Sequence, residues 1–150
     1  MKNTVYTLIF IFPFMMGCTD INDSTIVQVS YGTSFGMCVG YCKHDMVLLP
    51  NQVTYTCSSW NNSLEPVTQT ESLSATSWNS IKTDFNENAF FDLPETIGCP
   101  DCADGGAEWL EIKLVNGKIH KVTFEYNNEP EVLKNKIVQL RSLLRSKTCN

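Results

Sequence analysis

Seven cysteines hold most of the chemistry available to this 150-residue chain. Two pairs are tightly spaced, Cys38-Val-Gly-Tyr-Cys42 and Cys99-Pro-Asp-Cys102, while Cys18, Cys57 and Cys149 stand apart. A thiol reacts or binds metal as the thiolate, so the surroundings of each pair decide what it can do. A redox C-x-x-C needs its first cysteine at a helix N-terminus, where backbone N–H groups stabilise the thiolate. Here Cys102 is followed by Ala-Asp-Gly-Gly and then by a strand pattern. Gly105 and Gly106 would stop a helix within a turn, and Asp101 and Asp104 disfavour a thiolate. An envelope thiol oxidoreductase with a CPDC centre is therefore the least supported reading.

A metal reading joins the two pairs into four soft ligands, Cys38, Cys42, Cys99 and Cys102, able to enclose a tetrahedral zinc, with His44 as a substitute. A calcium loop fails on its ligands. With Gly105 and Glu111 in EF-hand register, the first two ligand positions fall on Pro100 and Cys102, which offer no side-chain oxygen. The plainest reading is disulfides that join the loop at Cys38 and Cys42 to the turn at Cys99 and Cys102, with Cys57 and Cys149 pairing by elimination. Six cysteines allow many pairings, and the sequence does not choose among them.

Which reading holds depends on the compartment, and the start of the chain speaks to that. MKNTVYTLIFIFPFMMGCTD has one lysine, an uncharged run from Thr4 to Met16, and then Gly17-Cys18. The run is too short for a membrane span, which needs ~20 apolar residues, and it fits the apolar region of a secretion signal. Phe14-Met15-Met16-Gly17-Cys18 resembles the lipobox of bacterial lipoproteins. In that family the signal is cut before the cysteine, whose thiol takes a diacylglycerol and whose amine is acylated, commonly with palmitate. The resemblance implies lipidation at Cys18, with residues 1–17 a signal peptide, 18–24 a polar flexible tether, and 25–150 a single domain. An exported domain meets an oxidising compartment, which favours disulfides over zinc.

Composition narrows the partners. Without residues 1–17 the chain keeps 16 acidic residues against 10 Lys and Arg. So acidic a chain, with its lysines scattered, is poorly suited to phosphate backbones, and nucleic-acid binding is disfavoured. Neither P-loop, nucleophile elbow nor H-E-x-x-H occurs. His44 and His120 are distant in sequence and read as surface residues, and Trp60, Trp78 and Trp109 read as packing rather than as a ligand patch.

The elements that must position these residues follow from periodicity. Ser24–Ser30 reads as a strand and Ser34–Cys42 as a loop or bulged strand. Asp45–Leu49 and Gln52–Cys57 read as a hairpin, in which Val53, Tyr55 and Cys57 alternate with polar residues. Ser58–Thr70 reads as an irregular excursion. Trp78, Ile81 and Phe85 recur at helical spacing behind Ser74, and Ala89–Pro94 reads as a helical turn. Trp109–Val115 and Ile119–Tyr126 flank Asn116-Gly117. A two-residue turn there would mix faces, so a three-residue connection through Lys118 is expected, pairing Leu110 with Phe124 and Ile112 with Val122. Leu133, Ile137, Leu140 and Leu144 stripe a last helix, with Pro130 in its first turn and Arg141, Arg145 and Lys147 placed to suit its dipole. Together these give an α+β fold: an antiparallel sheet built from hairpins, two main helices packed on one face, and loops stapled by disulfides.

Ser34-Phe35-Gly36-Met37-Cys38-Val39-Gly40-Tyr41-Cys42 and Gly98-Cys99-Pro100-Asp101-Cys102-Ala103-Asp104-Gly105-Gly106-Ala107-Glu108-Trp109 together resemble a family of small bacterial lipoproteins of unknown function. The likeness runs from about Ile26 to Arg145. It implies an exported single domain and brings no catalytic residue with it. The expected protein is thus a non-catalytic binding or structural module of the cell envelope. It is lipid-anchored at the outer membrane, facing the periplasm or the cell surface, and its partner is an unidentified envelope protein or ligand. It needs no cofactor unless the zinc reading holds.

Overall fold

The computed structural model describes residues 25–83 and 85–149, so the expectations placed on residues 1–24, lipidation at Cys18 among them, lie outside the described residues. Seven strands form one mixed sheet: β1 (Ile26–Ser34), β2 (Tyr41–Leu49), β3 (Gln52–Ser59), β4 (Val67–Ser72), β5 (Thr96–Ile97), β6 (Ala107–Leu114) and β7 (Ile119–Glu125). Their order across the sheet is β4-β3-β2-β1-β6-β7-β5. Every neighbouring pair is antiparallel except β5 with β7. Three helices complete the α+β fold: α1 (Ala75–Lys82), α2 (Glu87–Phe91) and α3 (Lys134–Arg145).

Alternation along each strand sends one set of side chains to the helices. Val29 and Tyr31, Met46 and Leu48, Val53 and Tyr55, Leu110 and Ile112, and Val122 and Phe124 are all buried and share one core with Trp78, Ile81, Phe90, Leu133, Ile137 and Leu140. The other face carries Thr54 and Thr56 of β3, bonded hydroxyl to hydroxyl with Thr70 and Thr68 of β4. Trp109 also stands on this face, against Gly32 of the adjacent strand, with the ammonium of Lys121 4.8 Å from its ring centroid. A β-carbon at Gly32 would stand 2.6 Å from the His44 carbonyl oxygen and closer still to the indole. Glycine is what lets the ring close down on the strand.

Helix starts follow the side chains that cap them. Ser74 accepts the Ser77 N–H at the head of α1, and Asn86 accepts the Ala89 N–H at the head of α2. A 3₁₀ turn, Glu131–Leu133, leads into α3, with Pro130 just ahead of it. The apolar stripe of α3 is buried at Ile137 and Leu140.

The sheet is larger than two hairpins under two helices. The excursion expected over Ser58–Thr70 contains most of β4, whose side chains offer no apolar alternation because it is a hydroxyl-rich edge strand. Of the segment expected as a loop or bulged strand, Tyr41 and Cys42 begin β2, whose register against β3 shifts between Tyr41 and Lys43. The β6–β7 loop does have three residues, but they are Val115, Asn116 and Gly117: Leu114 N donates to Lys118 O, and Gly117 takes φ +85°. Leu110 therefore faces Val122, and Ile112 faces His120. The shift of two residues from the expected register keeps every side chain on its expected face.

Candidate functional site

β1 has two unlike ends. At the Ile26 end the Thr25 carbonyl accepts from Val115, and Thr25 Oγ1 donates to Glu87 at 2.8 Å. At the Ser34 end all three disulfides gather. Cys38–Cys42 closes the loop after β1, Cys99–Cys102 closes the turn before β6, and Cys57–Cys149 ties β3 to the chain after α3. Thr33 pairs with His44, and His44 with Cys57, which brings the third bond to the same level of the sheet.

The expected pairing of the first loop with the second is corrected by this geometry. The two loops do meet, but through a hydrogen bond from Gly36 N to Asp101 Oδ1 at 3.2 Å, while each cysteine pair closes on itself. With three and four residues of separation, the partners within each pair stand 5.5 and 5.9 Å apart at Cα, inside the normal disulfide range. The sulfurs of Cys38 and Cys42, and of Cys99 and Cys102, thus stand at disulfide distance within each pair. The Cys57–Cys149 pair is the one expected.

The CPDC turn also lacks the scaffold of a redox centre. Cys102–Asp104 is a single 3₁₀ turn, with Asp101, Ala103 and Asp104 all in the left-handed region. Met37 in the facing loop is left-handed too, and both Met37 and Val39 are exposed, at 82% and 101%. Left-handed non-glycine residues are costly and persist where surrounding bonds fix them; Asp101 lies within the Cys99–Cys102 ring, its N–H donates to Gly106 O and its carboxylate accepts from Gly36 N.

Beneath this end lies a buried ionic network. Glu108 is fully buried on the core face of β6. Arg141 of α3 grips it in bidentate fashion at 2.9 and 2.7 Å, the Tyr31 hydroxyl donates to it, and Asn127 N donates at 3.3 Å. Arg141 also meets Glu129 at 2.6 Å. Burial, and then the adjacent Glu108 carboxylate, push the Tyr31 phenol far up, so it stays a donor. Chiefly through its bonds to Glu108, Arg141 is held firmly protonated, and Arg141 in turn holds the Glu129 carboxyl below its usual range.

A cavity of about 190 Å³ opens beside the network, between Tyr31, Thr33 and His44 of the sheet and Leu144, Arg145 and Lys147 near the end of α3. Two of its cations are neutralised: Arg141 by Glu108 and Glu129, Lys147 by Glu71 at 2.6 Å. Arg145 instead donates to the Tyr126 hydroxyl at 2.9 Å. A larger cleft of about 630 Å³ lies between α1 and α3. Lys136 crosses it and spends its donors on Ser80 O, Thr83 O and Gln139.

Both histidines, expected at the surface, are half-buried and engaged. His120 lies near the rings of Phe90 and Phe91 and donates from Nε2 to Leu93 O at 2.9 Å. His44 donates from Nε2 to Tyr41 O at 3.1 Å and turns Nδ1 toward the sulfurs of Cys57 and Cys149. The signal was there: His44 shares its parity with Met46 and Leu48, as Glu108 does with Leu110 and Ile112. The tryptophans form no common patch, since Trp78 is in the core, Trp109 on the opposite face and Trp60 exposed. Among the described residues no helix is long and apolar enough to cross a membrane. No family model matches the chain, and no curated protein matches it.

Proposed function

We propose that this protein is a lipid-tethered module of the cell envelope, non-catalytic, of the small bacterial lipoprotein type its motifs resemble, which binds through the disulfide-braced end of its sheet. One observation carries the reading: the described domain starts at one end of β1 and gathers all three disulfides at the other. Nine residues at ~3.3 Å each separate the two ends by roughly 26 Å. A chain held by Cys18 would therefore present Met37, Val39 and the cavity of Arg145 away from the bilayer. Disulfides suit an exported domain of this size, because they brace loops that its core does not reach. The acidic balance of the chain and its locally paired cysteines support a binding role over metal-centred or thiol chemistry at the two cysteine pairs.

The test is metabolic labelling of the full chain with an alkyne-tagged fatty acid, followed by envelope fractionation. The reading expects a labelled band in the membrane fraction that C18S removes, leaving an unlabelled precursor. Labelling unchanged by C18S, or a soluble unlabelled wild type, would overturn the tether.

A further inference from the structure

His44 of β2, its cross-strand neighbour Cys57 of β3 and the distant Cys149 near the chain end converge, and their ligand atoms lie within 4.8 Å of one another. His44 Nδ1 is 3.6 Å from Cys57 Sγ and 3.4 Å from Cys149 Sγ. A carbonyl oxygen only accepts, so the bond to Tyr41 O places the imidazole proton on Nε2 and leaves the Nδ1 lone pair facing the sulfurs. That is how metal-binding histidines are oriented, by a backbone acceptor on the far nitrogen.

We infer that reduction of the Cys57–Cys149 disulfide converts this corner into a zinc site of two thiolates and one imidazole. The geometry is close to ready. Zn–S and Zn–N lengths of about 2.3 and 2.0–2.1 Å at a tetrahedral angle put S and N about 3.5 Å apart, which the two Nδ1–Sγ distances already match. Only the sulfurs must separate, from about 2.0 Å in a disulfide to about 3.8 Å around the metal. Cys57 is buried within β3, whereas Cys149 lies in no regular element and can withdraw. It would not drift far: Lys147 stays paired with Glu71, and Thr148 O accepts from Gln69. Two thiolates cancel the charge of Zn(II), so the paired Lys147 nearby sets no barrier. His44 also borders the 190 Å³ cavity, which leaves room for water as a fourth ligand.

The chemistry balances with a dithiol as reductant. The dithiol gives two electrons and two protons to the S–S bond and becomes a disulfide itself. Zinc then displaces the two thiol protons, which leave to solvent. In an oxidising envelope the bond stays closed, so metal loading reports reduction. The inference stands apart from the lipid tether and from the reading of the other two cysteine pairs.

The full chain is purified in detergent and reduced anaerobically with a phosphine, then titrated with Zn(II) against a chromophoric chelator. C38S/C42S/C99S/C102S is expected to bind one zinc per chain when reduced and none when oxidised, and adding His44→Ala weakens binding at least tenfold. Co(II) in place of zinc should give thiolate charge-transfer bands that vanish in C57S/C149S. If the fourfold variant does not fold by circular dichroism, reduced wild type is compared with C57S/C149S, and a difference of one zinc is expected. Equal zinc content in that pair, no effect of His44→Ala, or a folded fourfold variant that binds none when reduced would each overturn the site.

Discussion

Arg141→Met removes the cation that answers a fully buried carboxylate. Glu108 has no exposed surface and Arg141 shows 12% of its side chain, so solvent cannot take over the lost role. Of the four donors to Glu108, the variant keeps only the Tyr31 hydroxyl and Asn127 N. Breaking a buried pair from one side costs about 3–5 kcal/mol, because the remaining charge is stranded. With a urea m-value of about 1.5 kcal/mol/M, the midpoint should fall by about 2–3 M. The companion variant Tyr31→Phe, Glu108→Leu, Arg141→Met removes the charge and the hydroxyl as well, and should recover most of the loss, since apolar replacements of buried pairs are often neutral or better. Urea unfolding followed by far-UV circular dichroism measures both. A loss below about 1 kcal/mol in Arg141→Met, the range of an exposed pair, would refute the view that this network is sealed from water.

The Glu129 carboxyl, held below its usual range by Arg141, stabilises the fold above its unfolded-state value of about 4.3. That stability is lost as pH falls through the lower folded-state value, so the gap between wild type and E129Q in urea midpoint should be largest at neutral pH and narrow as pH falls below the unfolded-state value. Gly32→Ala sets a β-carbon 2.6 Å from a backbone oxygen and closer still to the Trp109 ring; overpacking of this kind costs about 1–3 kcal/mol, seen as a lower melting temperature with a red-shifted tryptophan emission. Chain entropy assigns about 4.6 kcal/mol to a bond spanning 92 residues and about 1.9 kcal/mol to one spanning four. C57S/C149S should therefore destabilise the protein more than C38S/C42S or C99S/C102S, and equal losses in urea melts would contradict the pairing.

Where side chains alternate between core and solvent, the sequence was a sufficient guide. Val53, Tyr55 and Cys57 are buried as their spacing requires, and Ile137 and Leu140 face the sheet as the stripe of α3 requires. β4 escaped because Thr68 and Thr70 serve a bare face by hydroxyl bonds, which leave no hydrophobic period to read. β5 is two residues long and joins β7 in parallel, a contact set by tertiary packing alone. The local closure of the two cysteine pairs was missed for a different reason. The meeting of their loops was expected, but a Gly36–Asp101 hydrogen bond stands at the junction where disulfides were expected. His44 and Glu108 lie just outside the expected strands Asp45–Leu49 and Trp109–Val115, and polar residues on a core face are rare and must find partners far off in sequence. Glu108 finds Arg141, 33 residues on, and His44 meets the sulfur of Cys149, 105 residues on.

The central claim, an envelope module tethered at Cys18 and braced by three particular disulfides, meets its most direct test in one non-reducing peptide map by mass spectrometry. The protein is taken from membranes with thiols blocked at lysis. The account predicts an N-terminal peptide that begins at Cys18 with a lipid mass, a linked peptide pair joining Cys57 to Cys149, and internal bonds Cys38–Cys42 and Cys99–Cys102. An unlipidated N-terminal peptide, free blocked thiols at those six positions, or a bond from Cys38 or Cys42 to Cys99 or Cys102 would contradict it.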